Sequence, residues 1–218
     1  MTTFLVLILG YLLGSIPTAH IVARGLRGIN IQHYGSGTVS GTSVYYHVGL
    51  WAAILVWTLD IAKGAIPTGL GLLLGTGPST AGAAGLAAVV GHNWSLYLRF
   101  RGGRGISPFM GLLLAVFSLG FVWMLACLAF GRLVKLSALV AILAIAATPL
   151  LAWGQPPAVG GIGVAMLLIT VAKRLEANRL PLPKEHAERR RAILLRLCMD
   201  RDTKEQELWV NRHPLKDR

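Results

Sequence analysis

Positive charge and glycine are concentrated in residues 99–105, which read Arg-Phe-Arg-Gly-Gly-Arg-Gly. Guanidinium groups are permanent cations that bind phosphate through two parallel hydrogen bonds, and glycine lets the backbone approach an anion closely. A short loop whose arginines only set membrane orientation and touch lipid head groups is the simpler interpretation. The Gly-Gly-Arg-Gly run favours an anion site instead. Its predicted ligands are Arg101, Gly102, Gly103, Arg104 and Gly105.

A second stretch, within residues 24–48, is rich in glycine and hydroxyl groups. Turns made by glycine can point successive backbone N–H groups at one anion, and hydroxyl groups add further donors. The alternative is a polar loop in which Ser and Thr cap a helix, and composition alone favours it. The candidate anion ligands here are Gly35, Ser36, Gly37, Thr38 and Thr42.

Two ionisable groups lie three residues apart inside an apolar stretch, at Asp60 and Lys63. This spacing places both on one face of a helix. Charges near lipid are costly unless they pair or face a polar cavity, so the pair is either a functional site or an ion pair that fixes helix packing. His92 follows Gly91 at the end of the next apolar stretch, and a lone histidine there is more often a hydrogen-bonded packing residue than a catalyst.

The elements that must position these groups are apolar. The 218 residues are 54% hydrophobic and 14% charged, with a mean hydropathy of +0.61 and a net charge of +12. This composition predicts a membrane protein and excludes a disordered chain. Two distant cysteines exclude a disulfide scaffold. Because the basic residues lack an aromatic stacking platform, nucleic acid is not an expected partner.

The basic residues predict the topology. Among residues 1–172, all but Lys63 of the basic residues lie in segments 24–48, 99–107 and 131–136. If these segments and the tail are cytoplasmic, stretch 108–130 must begin and end on the same side of the membrane. We therefore expect two short helices broken around residues 118–120, rather than a single span. The fold class is then an all-α polytopic bundle of about seven transmembrane or half-membrane helices, with the N-terminus outside and the C-terminus cytoplasmic.

The ordered set of motifs resembles the acyl-phosphate-dependent glycerol-3-phosphate acyltransferases of bacterial membranes over roughly residues 4–180. The matching segments are Gly-Ser-Ile-Pro at 14–17, Gly-Ser-Gly at 35–37, Asp-x-x-Lys-Gly at 60–64, Gly-His at 91–92 and Phe-x-Gly-Gly-Arg-Gly at 100–105. The family has Lys where this chain has Arg104. The family's Asn, Asn and Arg in the second motif are replaced by Thr38, Ser43 and Tyr46, and its C-terminal His and Asn by Lys173 and Glu176.

The resemblance implies a seven-helix membrane enzyme of the bacterial inner membrane that takes part in phospholipid synthesis. It would transfer a fatty acyl group from acyl phosphate to the 1-hydroxyl of glycerol 3-phosphate at the cytoplasmic face, giving lysophosphatidate, with no cofactor or metal. Ser36 and His92 are then the candidate catalytic residues for relaying the proton, and Asp60 and Lys63 join the substrate-binding set. The altered motif residues leave a second hypothesis open, a non-catalytic lipid- or phosphate-binding relative. A small transporter would predict internal repeats, which the sequence lacks.

The last segment differs in character, because residues 173–218 hold 13 basic and 8 acidic side chains. We expect residues 1–178 to form the membrane domain and residues 179–218 a charged cytoplasmic tail. Leu180-Pro-Leu-Pro183 breaks the chain, and a weakly amphipathic helix follows within 184–208. This helix is expected to lie on the anionic membrane surface, the alternative being a solvated helix.

Overall fold

The computed structural model describes residues 1–34, 37–177 and 181–201, and this part of the chain is helical with no strand. Two short 3₁₀ turns accompany the α-helices, at Ile31–His33 and Leu96–Leu98. The α-helices are α1 (Thr2–Ser15), α2 (Thr18–Arg27), α3 (Gly41–His47), α4 (Leu50–Leu73), α5 (Gly77–Asn93), α6 (Ile106–Val116), α7 (Ser118–Leu133), α8 (Ser137–Leu151), α9 (Pro157–Glu176) and α10 (His186–Met199). The predicted all-α bundle is confirmed.

Proline separates the first two helices. The residue before a proline is pushed out of the helical region, and Ile16 has an extended ψ of 119°. Pro17 also lacks the N–H that would continue the helix. The apolar segment Thr2–Arg27 is long enough to cross a membrane, but the proline interrupts it in its middle. Because of this break, the Ile16 carbonyl oxygen can accept a hydrogen bond from a side chain of another helix.

Small residues let the central helices pack closely. A Cβ at Gly14 of α1 would overlap the backbone of Ala88 in α5, and one at Gly64 of α4 would overlap the carbonyl oxygen of Pro108 in α6. Close backbone approach at glycine is a recurrent way for membrane helices to associate. The helices α4 and α5, which carry Asp60, Lys63 and His92, are thereby held against α1 and against α6, the helix that follows the glycine-rich loop of residues 99–105.

The outer surface of the bundle is apolar, as a lipid-facing surface requires. Three segments are long and apolar enough to span a membrane, Thr2–Arg27, Leu50–Leu73 and Pro157–Glu176, and α6, α7 and α8 are shorter apolar helices. Large side chains such as Leu73 and Trp153 are 87% and 90% exposed. These features are those of a multi-pass membrane protein.

The broken pair expected within 108–130 is present. Helix α6 ends at Val116, Phe117 is non-helical with φ −156° and ψ 74°, and α7 begins at Ser118, so the break lies just before the expected residues. The two short helices pack against each other. Counting α1–α2 as one kinked helix, and leaving aside α3 and α10, the described residues form a bundle of seven helices, and how many of them cross the membrane stays a prediction. The orientation of the bundle across the membrane stays a prediction.

Beyond residue 181 the chain forms α10, which packs on α8 and α9. We expected a helix in this tail, and one is present at His186–Met199. One side of it is docked on the bundle: Arg196 is 2% exposed and donates to the carbonyl oxygens of Leu175 and Pro181, both at 3.2 Å. The division of the chain at residue 178 and the contact of the tail with a membrane surface stay predictions. Residues 202–218 of the tail lie outside the described part.

Candidate active site

A small cleft lies beside the break between α1 and α2. It is formed where the break, the loop before α3, the middle of α4, the end of α5 and the glycine-rich loop meet. Three sequence-predicted site residues line it, namely Lys63, His92 and Gly102. The other lining residues are Gly14, Ser15, Ile16, Pro17, Thr18, Ala19, Val39, Ser95 and Leu98.

Asp60 and Lys63 form a buried ion pair that ties α4 to the break in the first helix. Their side chains are 2% and 7% exposed, and Lys63 Nζ lies 2.7 Å from Asp60 Oδ1. Lys63 Nζ also donates to the Ile16 carbonyl oxygen at 2.5 Å and to Thr18 Oγ1 at 2.9 Å, while Thr18 Oγ1 donates to Asp60 Oδ1 at 2.5 Å. An ammonium group has three donors, and all three are used. This geometry supports the packing role that the sequence left open; substrate binding by the pair stays a prediction.

His92 is buried beside this pair and beneath the glycine-rich loop. Its Nδ1 atom lies 3.8 Å from Asp60 Oδ1, which is beyond hydrogen-bond distance. The backbone N–H of Gly103 donates to the His92 carbonyl oxygen at 2.9 Å, and a Cβ at Gly103 would overlap the imidazole ring. Glycine is therefore required at 103 for the loop to lie on His92. Catalysis by His92 stays a prediction.

The glycine-rich loop connects the cleft to the start of α6. The Val39 N–H donates to the Gly102 carbonyl oxygen at 3.3 Å, so the two predicted anion loops are in contact. Gly105 precedes the first residue of α6 with φ 75°, a left-handed conformation that glycine adopts without strain. The first N–H groups of a helix are free to bind an anion. Arg101 is partly exposed at the edge of the loop.

The Arg104 side chain does not line the cleft and reaches the end of α9. It is 10% exposed, and its Nη1 donates to the Lys173 carbonyl oxygen at 3.0 Å. Its Nε donates to Asp200 Oδ2 at 2.8 Å. The arginine predicted to bind phosphate therefore already has a carboxylate partner, supplied by the residue that follows α10.

The hydroxyl-rich loop is only partly described, since Gly35 and Ser36 lie outside the described residues and their roles stay predictions. Gly37 has a left-handed φ of 69°, and Thr38 is buried. Ser40 Oγ accepts from the Ser43 N–H at 3.3 Å and caps α3, so the helix-capping interpretation of this stretch is confirmed at Ser40. Thr42 is exposed on α3 and does not line the cleft.

A cluster that the sequence reasoning missed joins the end of α5 to the end of α9. Lys173 Nζ lies 2.8 Å from Glu176 Oε2, and the same oxygen accepts from Trp94 Nε1 at 3.1 Å. The ammonium also lies 5.0 Å from the centroid of the Trp94 ring. The i, i+3 acid–base spacing of Lys173 and Glu176 repeats that of Asp60 and Lys63, and it was the available signal. Two more missed residues are buried nearby: Ser95, whose Oγ donates to the Ser15 carbonyl oxygen at 2.5 Å, and Asn93.

Arg132, near the end of α7, contacts two tyrosines of α3. The Arg132 guanidinium lies 4.8 Å from the ring centroid of Tyr45, and its Nη1 donates to the Tyr46 hydroxyl at 3.3 Å. Tyr46 occupies the position where the family motif ends in Arg. A positive charge is therefore present at this face of α3, although a different helix supplies it.

The fold and the cleft define a polytopic membrane protein whose buried ionisable residues lie beside an arginine- and glycine-rich loop. The glycerol-3-phosphate acyltransferase family model matches residues 4–181. Glycerol-3-phosphate acyltransferase 2 of Moorella thermoacetica is 42% identical over 141 residues, which cover 63% of this chain and 72% of that protein. Glycerol-3-phosphate acyltransferase 5 of Dehalococcoides mccartyi is 33% identical, with 94% of this chain and 91% of that protein covered.

Two crystal structures of PlsY, an integral membrane glycerol 3-phosphate acyltransferase, have a similar fold. The glycerol 3-phosphate form superposes with a TM-score of 0.73 and 26% identity, covering 81% of this chain and 90% of that one. The lysophosphatidic acid form gives a TM-score of 0.72. This chain therefore belongs to the glycerol-3-phosphate acyltransferase family. It is an integral membrane acyltransferase, which favours the enzyme hypothesis over the non-catalytic relative.

Proposed function

We propose that this protein transfers a fatty acyl group from acyl phosphate to the 1-hydroxyl of glycerol 3-phosphate, releasing lysophosphatidate and inorganic phosphate. The observation that carries the proposal is the meeting of the two glycine-containing loops, through Val39 and Gly102, beside buried His92 and Lys63 in a lipid-facing bundle. Acyl chains favour the apolar surface, and phosphate groups favour the basic, glycine-lined edge. The glycerol 3-phosphate form of PlsY, of similar fold, supports the acceptor.

The reaction needs little beyond positioning and charge stabilisation. The hydroxyl oxygen of glycerol 3-phosphate attacks the acyl carbonyl carbon, and the bond from that carbon to the phosphate oxygen breaks. The hydroxyl proton passes to the departing phosphate, directly or through Ser36 or His92. Negative charge develops on the carbonyl oxygen and is stabilised by fixed N–H donors, for which the backbone of residues 104–106 at the start of α6 is the candidate.

The charged residues have separate proposed roles. Arg104 and Arg101 attract the phosphates, and Arg132 provides a further cation at α3. Asp60 and Lys63 hold the first-helix break against α4, which sets the shape of the cleft. Because Val39 and Gly102, which line the cleft, belong to the predicted cytoplasmic segments 24–48 and 99–107, the site is proposed to lie at the cytoplasmic face of a bacterial inner membrane.

The test is an assay of purified protein in detergent with acyl phosphate and labelled glycerol 3-phosphate. The wild-type protein should form lysophosphatidate, and a variant carrying both Arg104→Ala and Ser36→Ala should not. Acyl-CoA in place of acyl phosphate tests the donor, and it should give no product. If wild type forms no more lysophosphatidate than the double variant, the proposal is wrong for this substrate pair, and binding of glycerol 3-phosphate without turnover would support a non-catalytic relative.

A further inference from the structure

The residue that follows α10 contacts the glycine-rich loop of residues 99–105. Helix α10 itself lies beyond residues 4–181, the part of the chain that matches the family model. The contact is the ion pair between Arg104 Nε and Asp200 Oδ2, at 2.8 Å. The other fixed contact of this guanidinium is the 3.0 Å hydrogen bond from Nη1 to the Lys173 carbonyl oxygen. A segment beyond the part matched by the family model therefore contacts one of the predicted phosphate ligands.

We propose that Asp200 is a positioning residue for Arg104, and that α10 is an integral part of the substrate site in this protein. A guanidinium has five N–H donors in a rigid plane. Two fixed contacts, at Nε and Nη1, set the orientation of that plane and leave the Nη2 group and one Nη1 hydrogen for a phosphate. This inference rests on the proposed function, because the phosphate is that of the acyl donor or of the acceptor.

The attachment of α10 is that of a permanent element rather than a detachable lid. Buried Arg196 donates from α10 to carbonyl oxygens of α9 and of Pro181. In the opposite direction, Arg174 of α9 is 3% exposed and donates to the Leu197 carbonyl oxygen in α10 and to the Ala138 carbonyl oxygen at 2.6 Å. Detaching α10 from the bundle would separate buried Arg196 from the Leu175 carbonyl oxygen and buried Arg174 from the Leu197 carbonyl oxygen, which is costly.

The position of Asp200 follows from how α10 ends. Asp200 has a left-handed φ of 55°, and its N–H donates to the Arg196 carbonyl oxygen. Aspartate is one of the few non-glycine residues that adopt this conformation readily. Its short side chain then carries the carboxylate from the end of the helix to Arg104. The carboxylate also reduces the repulsion between Arg104 and the neighbouring Arg174.

The critical experiment is a double-mutant cycle on purified enzyme. Asp200→Asn should lower kcat/KM about tenfold or more, mainly through the KM of one of the two phosphate substrates, because a charge-assisted contact that orients the guanidinium is lost. In an Arg104→Lys background the same change should cost less than about threefold, because an ammonium group acts as a point charge that needs no fixed plane. Titrating acyl phosphate and glycerol 3-phosphate separately identifies which phosphate Arg104 binds. Glu188→Gln, which neutralises an exposed acid on α10, is the matched control and should leave both constants unchanged.

A readout without turnover separates this inference from the proposed function. Inorganic phosphate should raise the unfolding temperature of the wild-type protein, and it should do so less in Asp200→Asn. That difference would support the positioning role even if wild type transferred no acyl group. The asparagine substitution could also destabilise the packing of α10. The Asp200→Glu variant, which keeps the carboxylate, should then show more phosphate-dependent stabilisation than Asp200→Asn.

Three results would overturn the inference. Asp200→Asn could match wild type in kcat/KM and in phosphate stabilisation, so that the contact has no role. It could cause equal losses in the wild-type and Arg104→Lys backgrounds, so that Asp200 does not act through the guanidinium. It could raise activity, in which case the carboxylate competes with substrate phosphate for Arg104 rather than orienting it.

Discussion

The ion pair of Asp60 and Lys63 allows a quantitative test of what holds the site together. In Asp60→Asn, the Lys63 ammonium stays buried and keeps its contacts to the Ile16 carbonyl oxygen and to Thr18, but it loses its counter-charge. Removing one partner of a buried ion pair typically costs about 3–5 kcal/mol. For a chain of this size each kcal/mol lowers the unfolding temperature by about 2–4 °C, so a fall of about 6–20 °C is expected.

The control is the double variant that combines Asp60→Asn with Lys63→Met. Replacing both members of a buried pair with neutral residues of similar size is often neutral or stabilising. The amide oxygen of the introduced asparagine can still accept the hydrogen bond from Thr18. The double variant should therefore unfold at a temperature close to wild type and clearly above the single variant.

Thermal unfolding in detergent, followed by the fraction of protein that remains soluble and monodisperse, measures both variants side by side. Two results would contradict the reasoning. One is a single variant that unfolds within about 2 °C of wild type, since a buried ammonium without its counter-charge must be destabilising. The other is a double variant that unfolds as early as Asp60→Asn, since the cost would then come from the loss of shape at residue 60.

Two further substitutions test the rest of the site. Gly103→Ala should lower the rate of acyl transfer about 100-fold, because the added Cβ displaces the loop from His92. The matched control is Gly69→Ala, at an open position on α4, which should leave the rate unchanged. Glu176→Gln should destabilise the protein by about 1.5–3 kcal/mol in thermal unfolding, because the buried Lys173 ammonium loses its charged acceptor; an unchanged unfolding temperature would show that the cluster contributes nothing to stability.

Much of the architecture could be predicted because its causes are local or compositional. Long apolar stretches must form helices in lipid, where every backbone polar group needs an internal partner. Pro17 had to interrupt the first helix, since proline both removes a donor and restricts Ile16. The break near residue 118 followed from charge: loops with an excess of basic residues favour one side of the membrane, and 23 residues between two such loops must turn back.

The candidate site could be predicted only as a set of separate motifs. The i, i+3 spacing placed Asp60 and Lys63 on one face, but it could not say that Thr18 and the Ile16 carbonyl oxygen would occupy the remaining ammonium donors. Composition favoured capping over anion binding in the hydroxyl-rich stretch, but it could not say which residue would cap a helix. The choice at Ser40 depended on where α3 begins.

The sequence by itself therefore determined a helical membrane bundle, the break in its first helix and the residue types of a candidate anion site, because hydropathy, proline geometry and helical spacing act over a few residues. The tertiary structure alone decided the partners of those residues. Arg104 meets Asp200, which is 96 positions away, and Trp94 meets Glu176, which is 82 away. Such contacts depend on how whole helices pack, which no local pattern encodes, and they bring a tail beyond the family model into contact with the glycine-rich loop.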